Sequence, residues 1–459
     1  MSDFSINQLP KDAKIHMIGI GGVSMSGIAS MLIHFGYKVS GSDAKSSEVL
    51  EELMAKGAEI YIGQRAENIT NPDLVCYTAA IQKDNPELVA AIDAKIPTIE
   101  RAELLGELMT LYKYPLAVAG THGKTTVTSM LSLVLLEAKT DPTILVGGEL
   151  PQIGGNHRIG KRDYLSFEAC EYVESFLHFN PFLSIITNVE EDHLDYFSGI
   201  NHIISSFKKF ASLTSPLGCI IVCSDDKYAQ EVVQNVDKKV IKYGIKSEDA
   251  EISAKNLKFN DKGFGEFDIV KDGKILLSVK LNVPGEHNVC NALAVTAAAD
   301  FLGIGADAIK AGLEAFGGAR RRFERIGSFG GCEVIDDYAH HPTEIKTTLE
   351  AARKMGKKRV WVVFQPHTYS RTKSLLDGFA EALPVADKVV ICDIFPAREK
   401  DDGSIHSRDL ADKIPDAVYI GDLDAAGEYL KENTEDGDML ITMGAGDVYK
   451  IGYKLCGKQ

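Results

Sequence analysis

The stretch PLAVAGTHGKTTVTSMLSLVLLEA, residues 115–138, constrains the fold more than any other part of the chain. The small and β-branched residues up to Ala119 read as a buried strand, and the run from Lys124 onward reads as an amphipathic helix. Between them lies a turn with a glycine at each end. A strand that passes so abruptly into a helix belongs to a parallel α/β sheet. It leaves the helix N–H groups at the carboxyl edge of the sheet, where they attract phosphate. The usual G-x-x-x-x-G-K-[ST] pattern would put its first glycine at position 118, which is valine here, so this is a degenerate phosphate loop. Gly120, Thr121, His122 and Gly123 form the cradle, Lys124 is expected to reach the outer phosphates, and Thr125 to hold Mg²⁺. Thr126 completes the same site.

A chain of 459 residues cannot enclose one core and fits two to four domains. Three α/β units are expected. The first, residues 1–112, alternates strands (KIHMIGIG, YKVSGSD, AEIYIG, LVCYTAA, IPTIE) with helices and reads as a Rossmann-like parallel sheet. The central unit, residues 113–319, is a P-loop ATPase-like parallel sheet, to which the alternating segments around a KDGK turn add a small antiparallel sheet. The third, residues 320–459, is again βα and Rossmann-like, with strands CEVIDDYA, RVWVVFQP, KVVICDI, AVYIG and MLITMGAG.

The net charge of −15 argues against nucleic-acid and membrane-surface binding. No apolar signal region follows Met1 and no run approaches a membrane span, so a cytoplasmic protein is expected. The eight cysteines lack C-x-x-C spacing and are expected to be reduced, mostly packing thiols.

Ligands of open α/β sheets gather at the carboxyl ends of strands. Glu168, ending YLSFE, and His193, in ITNVEEDHLDYF, are therefore expected to converge on Lys124 and to join Thr125 as metal ligands. The first unit carries GIGGVSMSG, a partial G-x-G-x-x-G whose sixth position is Ser24. Gly19, Gly21, Gly22, Val23 and Ser24 form a diphosphate cradle, with Asp43 ending the next strand. A nicotinamide dehydrogenase is one reading of that loop, but the unit has room for little more than half a dinucleotide fold, so a single nucleoside diphosphate fits better. In the third unit, His340 and His341 are adjacent and should point apart, which disfavours a two-histidine zinc site. His341, Glu344 and Arg371 are suited to orienting an amine or a carboxylate.

Together GIGGVSMSGIA, GTHGKTT, EACEY, TNVEEDHLDYF, PGEHNVCNALA, RRRFERIG, DDYAHHPTEI and QPHTYSRT, in this order over nearly the whole length, resemble the Mur ligase family. G-T-H-G-K-T-T is how that family writes its phosphate loop. The resemblance implies that ATP phosphorylates the lactyl carboxylate of UDP-N-acetylmuramic acid and that the amine of L-alanine attacks the acyl phosphate, in a monomer or homodimer. By similarity, Asp43, Thr78, Ala79 and Arg101 surround the uridine; His287, Asn288 and Asn291 form the adenine pocket; and Arg322 and Asp337 complete the ATP site. Lys124, Glu168, His193, His341 and Arg371 would be catalytic, with Arg371 binding the alanine carboxylate and His341 taking the amine proton. Alternatives are a family member adding a recycled peptide to the same sugar nucleotide, a folate polyglutamate ligase, and a non-catalytic sugar-nucleotide binder. Three motifs depart from the family pattern. EACEYV stands where many relatives read E-A-D-E-S-D, Thr368 where many have a second arginine, and TAAI where serines are common.

Overall fold

The computed structural model describes residues 5–78 and 81–458, so Ala79 of the expected uridine set lies outside the described residues. Three sheets follow one another along the chain. The first runs in the order Glu59–Ile62, Lys38–Asp43, Lys14–Ile18, Leu74–Tyr77, Thr98–Glu100, with every pair parallel. Lys14–Ile18 is apolar and buried almost throughout because helices cover both faces of such a sheet. The strand order reverses beside it, so the glycine loop leaves the sheet at its switch point.

The central sheet has ten strands. Tyr114–Ala119, which feeds the phosphate loop, pairs in parallel with Tyr164–Glu168 on one side and Leu183–Ile186 on the other. That placement has a direct consequence: the two segments that leave these neighbours, EACE and TNVEEDH, must flank the loop. The antiparallel strands Ile252–Phe259, Phe264–Lys271 and Lys274–Pro284 do not form a separate sheet. They extend the parallel one through the pairing of Val240–Gly244 with Ile252–Phe259. At the opposite edge Thr143–Leu150 and Gly155–Arg158 form a hairpin that the glycine-rich sequence GGELPQIGGNHR hides.

The third sheet runs Glu324–Phe329, Cys332–Asp337, Met439–Met443, Val360–Phe364, Lys388–Ile391, Val418–Tyr419, and only the first of these is antiparallel to its neighbour. One apolar core is shared by the first domain and a face of the central sheet. Within it the helix Arg101–Met109 lies so close to the segment Tyr172–His178 that a Cβ on Gly106 would sit 2.2 Å from the His178 carbonyl oxygen. The helix is thereby clamped to the central domain. Among the described residues no helix is long and apolar enough to cross a membrane, and all eight cysteines are free.

Candidate active site

The phosphate loop makes its turn with Gly120 (φ 136°) and Gly123 (φ 83°), so position 118 needs no glycine and Val118 is a fully buried strand residue. A Cβ on Gly120 would lie 1.9 Å from Thr187 Oγ1. The loop is held against the next strand's end: the Thr121 and His122 amides donate to the Asn188 carbonyl and Asn188 Oδ1 at 3.1 and 2.8 Å. Thr187 Oγ1 donates to the His122 carbonyl at 2.6 Å. Gly123 caps the helix Lys124–Glu137 without a side chain, which leaves the first-turn N–H groups of Lys124, Thr125 and Thr126 unmasked. This cradle fits a phosphate chain.

The Lys124 side chain is only 16% exposed, with Nζ 2.9 Å from Glu171 Oε2 and 3.1 Å from the Thr121 carbonyl. Burial opposes its charge, but Glu171 outweighs that and raises the ammonium above its ordinary value. Glu171 is a site residue that strand-end reasoning misses; the only signal for it is a second acid three residues after Glu168. Glu168 accepts from the Gly147 amide, and a Cβ on Gly147 would press on the Glu168 carboxylate, while Gly148 stands in ordinary contact distance of Thr125. Gly147 therefore leaves room for Glu168 beside Thr125. His193 sits at φ 53° with its ring on Tyr172 (centroids 4.6 Å apart) and Nε2 3.9 Å from Glu171 Oε1. Glu168 and Thr125 lie at the corner beside the glycine pair, and His193 faces Glu171 from the end of the next strand.

In the first domain Gly19 (φ 79°) starts the glycine loop, and the Gly21 amide donates to Asp43 Oδ2 at 3.0 Å. Asp43 thus braces the loop from the neighbouring strand. Gly22 caps the helix Val23–His34, and Thr78 lies across the switch point, 3.8 Å from where a Gly19 Cβ would be. Val23, Ser24 and Arg101 line a cavity together with Gly147, Asn156, Cys170 and Glu168. The glycine loop of one domain and the Glu168 corner of the next therefore open into the same space.

A second cavity, about 210 Å³, lies beyond His122 and Gly123 and is lined by His287, Asn288, Asn291, Phe316, Arg322 and Asp337 among others. Asn288 donates to the Pro284 carbonyl at 2.7 Å and Asn291 to Asn288 Oδ1 at 3.1 Å, which fixes both amides. Burial holds His287 down at about 4, so the ring is neutral. Asp337 accepts from the Phe323 and Ala339 amides, both at 2.8 Å, and burial pushes its carboxyl up to about 6. Its work in the structure is to hold the linker turn at Arg321 and Phe323, both left-handed.

The central and C-terminal domains meet at this cavity through a charged cluster. His122 lies 3.2 Å from Glu344 Oε1 and 3.4 Å from Glu190 Oε2. Burial works against its charge, but Glu344 and then Glu190 outweigh it and push the imidazole up to about 9. Glu344 also faces Arg322 and His340 and is held well below its ordinary value. An imidazole raised in the folded state contributes stability that is complete below its free value of about 6.5 and is lost as pH rises through its folded value. A depressed carboxyl contributes above its free value of about 4.3 and loses that as pH falls. Closure of the two domains, followed by small-angle scattering, is therefore expected to be firmest between about pH 5 and 6.5 and to weaken progressively as pH rises toward 9, where His122 titrates in the folded state. His122→Gln should flatten the alkaline limb; an unaltered limb in that variant would exclude this cluster as its source.

His341 is also part of this junction. Its Nε2 donates to the Glu191 carbonyl at 3.0 Å and its Nδ1 accepts from the Thr343 amide at 3.3 Å. Both nitrogens are occupied, so the residue expected to take the amine proton instead ties the domains together. His340 points the other way, toward Tyr338 and His367, as the adjacent-residue argument requires. A third cavity, about 440 Å³, opens on the far side of the junction between Tyr172, Asp192 and His193 of the central domain and Tyr338, His367, Arg371 and Arg398 of the C-terminal one. Arg371 Nε and Nη2 both lie 3.0 Å from Asp192 Oδ1.

Family models match all three domains: "Mur ligase family, catalytic domain" over residues 14–113, "Mur ligase middle domain" over 118–299 and "Mur ligase, glutamate ligase domain" over 321–446. The chain belongs to the Mur ligase family. A UDP-N-acetylmuramate–L-alanine ligase from Acetivibrio thermocellus is 51% identical over 98% of this chain and 97% of its own length. One from Clostridium tetani is 50% identical over 96% and 97%. Among solved structures, UDP-N-acetylmuramate-alanine ligase MurC from Thermotoga maritima superposes with a TM-score of 0.81 at 30% identity, over 96% of this chain and 98% of that one. A murein peptide ligase from Psychrobacter arcticus shares the fold, with a TM-score of 0.72 at 24% identity over 96% and 98%.

Of the three departures from the Mur ligase pattern, two have a structural reading. Burial pushes the Cys170 thiol up to about 11, so it brings no charge to the corner beside Lys124. Thr368 accepts from the Arg371 amide at 3.4 Å and caps the helix Tyr369–Ser374.

Proposed function

We infer that the protein is an ATP-dependent ligase joining L-alanine to the lactyl carboxylate of UDP-N-acetylmuramic acid. The observation that carries this reading is the cavity that runs from the first-domain glycine loop to Glu168, one step from Lys124. A sugar nucleotide anchored by its diphosphate at Gly19–Ser24 would extend its carboxylate toward the phosphate loop. The adenine end of ATP would lie among His287, Asn288 and Asn291, with the phosphates along the loop.

The γ-phosphoryl group passes to a carboxylate oxygen and ADP departs. The free amine of L-alanine then attacks the acyl carbon, and the tetrahedral adduct collapses with loss of phosphate. The obstacle in the first step is electrostatic, because two anions must approach each other. Lys124 and the helix N-terminus answer it with fixed positive charge in a site where little reorganisation is needed. A divalent cation held by Thr125, Glu168 and His193 would add charge neutralisation. Glu171 keeps Lys124 extended across the loop, and the amine would enter from the cavity beside His193 and Arg371.

Phosphate release from ATP is the direct test. Release is expected only when UDP-N-acetylmuramic acid and L-alanine are both present. Equal release with D-glutamate replacing L-alanine, or release without the sugar nucleotide, would overturn this assignment.

A further inference from the structure

The ligase reading requires a cation for the carboxylate of the incoming amino acid, and the expected one is already committed. Arg371 and Asp192 form an ion pair in which both side chains are about nine-tenths buried, at 10% and 9% exposure. The third nitrogen of Arg371, Nη1, lies 3.2 Å from His367 Nδ1. The guanidinium is thus neutralised by its own protein. Three residues earlier stands Thr368, which has no charge and whose hydroxyl is used as a helix cap.

Arg398 lines the same cavity. It is exposed, and among the described residues no ion pair, hydrogen bond or ring contact engages its guanidinium. The acids of the cavity are all taken by other donors: Asp192 by Arg371, Asp195 by the Tyr172 hydroxyl at 2.9 Å, and Glu399 by the Ser370 amide at 3.0 Å and the Ser370 hydroxyl. Although Arg398 is exposed, its loop is anchored on both sides. Before it, the Phe395 amide donates to the Pro366 carbonyl at 2.8 Å, the Thr368 amide donates to the Phe395 carbonyl at 2.9 Å, and His367 stacks on Phe395 at 5.7 Å. After it, Glu399 is fixed to Ser370.

We propose that Arg398 binds the carboxylate of the incoming amino acid and supplies the positive charge that Thr368 lacks and Arg371 spends on Asp192. The proposal rests on the ligase reading and deepens it. An anchored, unpaired arginine at the mouth of the pocket between two domains can meet a small zwitterion by its carboxylate. The amine would then be directed inward, toward His193 and the acyl phosphate.

The test is steady-state phosphate release by the full chain at saturating ATP and UDP-N-acetylmuramic acid. Arg398→Ala is expected to raise KM for L-alanine about 10- to 100-fold, the range of a lost charge-assisted hydrogen bond, with kcat changed less than about threefold. KM for ATP and for the sugar nucleotide should not move, and Arg398→Lys should recover part of the loss. L-Alaninamide, which has no carboxylate, supplies the second readout. The wild-type preference for L-alanine over the amide should shrink by the same factor in Arg398→Ala. An unchanged KM for L-alanine, or an equal rise for the amide, would overturn the proposal while leaving the ligase reading intact. Absence of alanine-dependent release in the wild-type protein would instead overturn the ligase reading, and the proposal with it.

Discussion

Lys124→Ala is expected to lower alanine-dependent phosphate release by about a thousandfold or more while binding of UDP-N-acetylmuramic acid persists. In the ligase reading the Lys124 ammonium would supply a fixed full positive charge from the phosphate loop to the outer phosphates. A preorganised charge of this kind in a water-poor site is worth about 10²- to 10³-fold by itself. The variant does more than remove it. Glu171 is 4% exposed and lies 2.9 Å from Lys124 Nζ, so without the lysine a buried carboxylate faces the two anions that must be joined. The glycine loop at Gly19–Ser24 belongs to another domain and does not touch Lys124, so calorimetric titration with the sugar nucleotide should give a near-normal affinity. A variant that turns over at more than about a tenth of the wild-type rate would remove Lys124 from the phosphate-transfer step.

The same lysine illustrates what could be read from the chain and what could not. GTHGKTT is legible because a strand, a glycine turn and a helix follow one another without interruption, and all the geometry is local. Glu168 and His193 are legible as strand-end residues. That they flank Lys124 depends on the sheet order, since Tyr114–Ala119 is inserted between strands that come later in the chain. Glu171 is harder still. It enters a 3₁₀ segment with Val173 and Glu174 at φ 48° and 56°, a backbone path no periodicity announces.

Contacts across domains were the least legible. His341 looks like a free base in HHPTE, and only the docking of the C-terminal domain on Glu191 shows both nitrogens occupied. Arg398 carries no motif at all; its meaning comes from the ion pair that absorbs Arg371. The hairpin of Thr143–Leu150 with Gly155–Arg158 and the strand Glu324–Phe329 escaped for a simpler reason. Glycines in one and an arginine run beside the other mask the alternation by which strands are recognised.

The second large effect is expected at Gly120, where backbone conformation and packing can be separated by three alanine substitutions. Gly273 sits at φ 77° with nothing within 4 Å of where a Cβ would stand, so Gly273→Ala meets only the left-handed strain, about 1–2 kcal/mol. Gly123, at φ 83°, adds a contact of 3.1 Å with Asn291 Oδ1, a single side-chain atom that would have to give by a few tenths of an ångström. Gly120, at φ 136°, puts a Cβ 1.9 Å from Thr187 Oγ1 and 3.1 Å from the Asn188 amide and carbonyl, where backbone would have to move. Thr187 Oγ1 and the Asn188 carbonyl are among the atoms that staple Thr121 and His122 in place, so Gly120→Ala should open the loop as well as strain it. The melting temperature should fall least in Gly273→Ala and furthest in Gly120→Ala. Calorimetry should find ATP affinity normal in the first, weakened in Gly123→Ala and reduced at least about 100-fold in Gly120→Ala, the loss expected when several loop N–H contacts to phosphate go together. Matching melting temperatures and ATP affinities for Gly120→Ala and Gly273→Ala would mean that the loop tolerates a side chain where Thr187 now stands, and the stapling by Thr187 and Asn188 would lose its role.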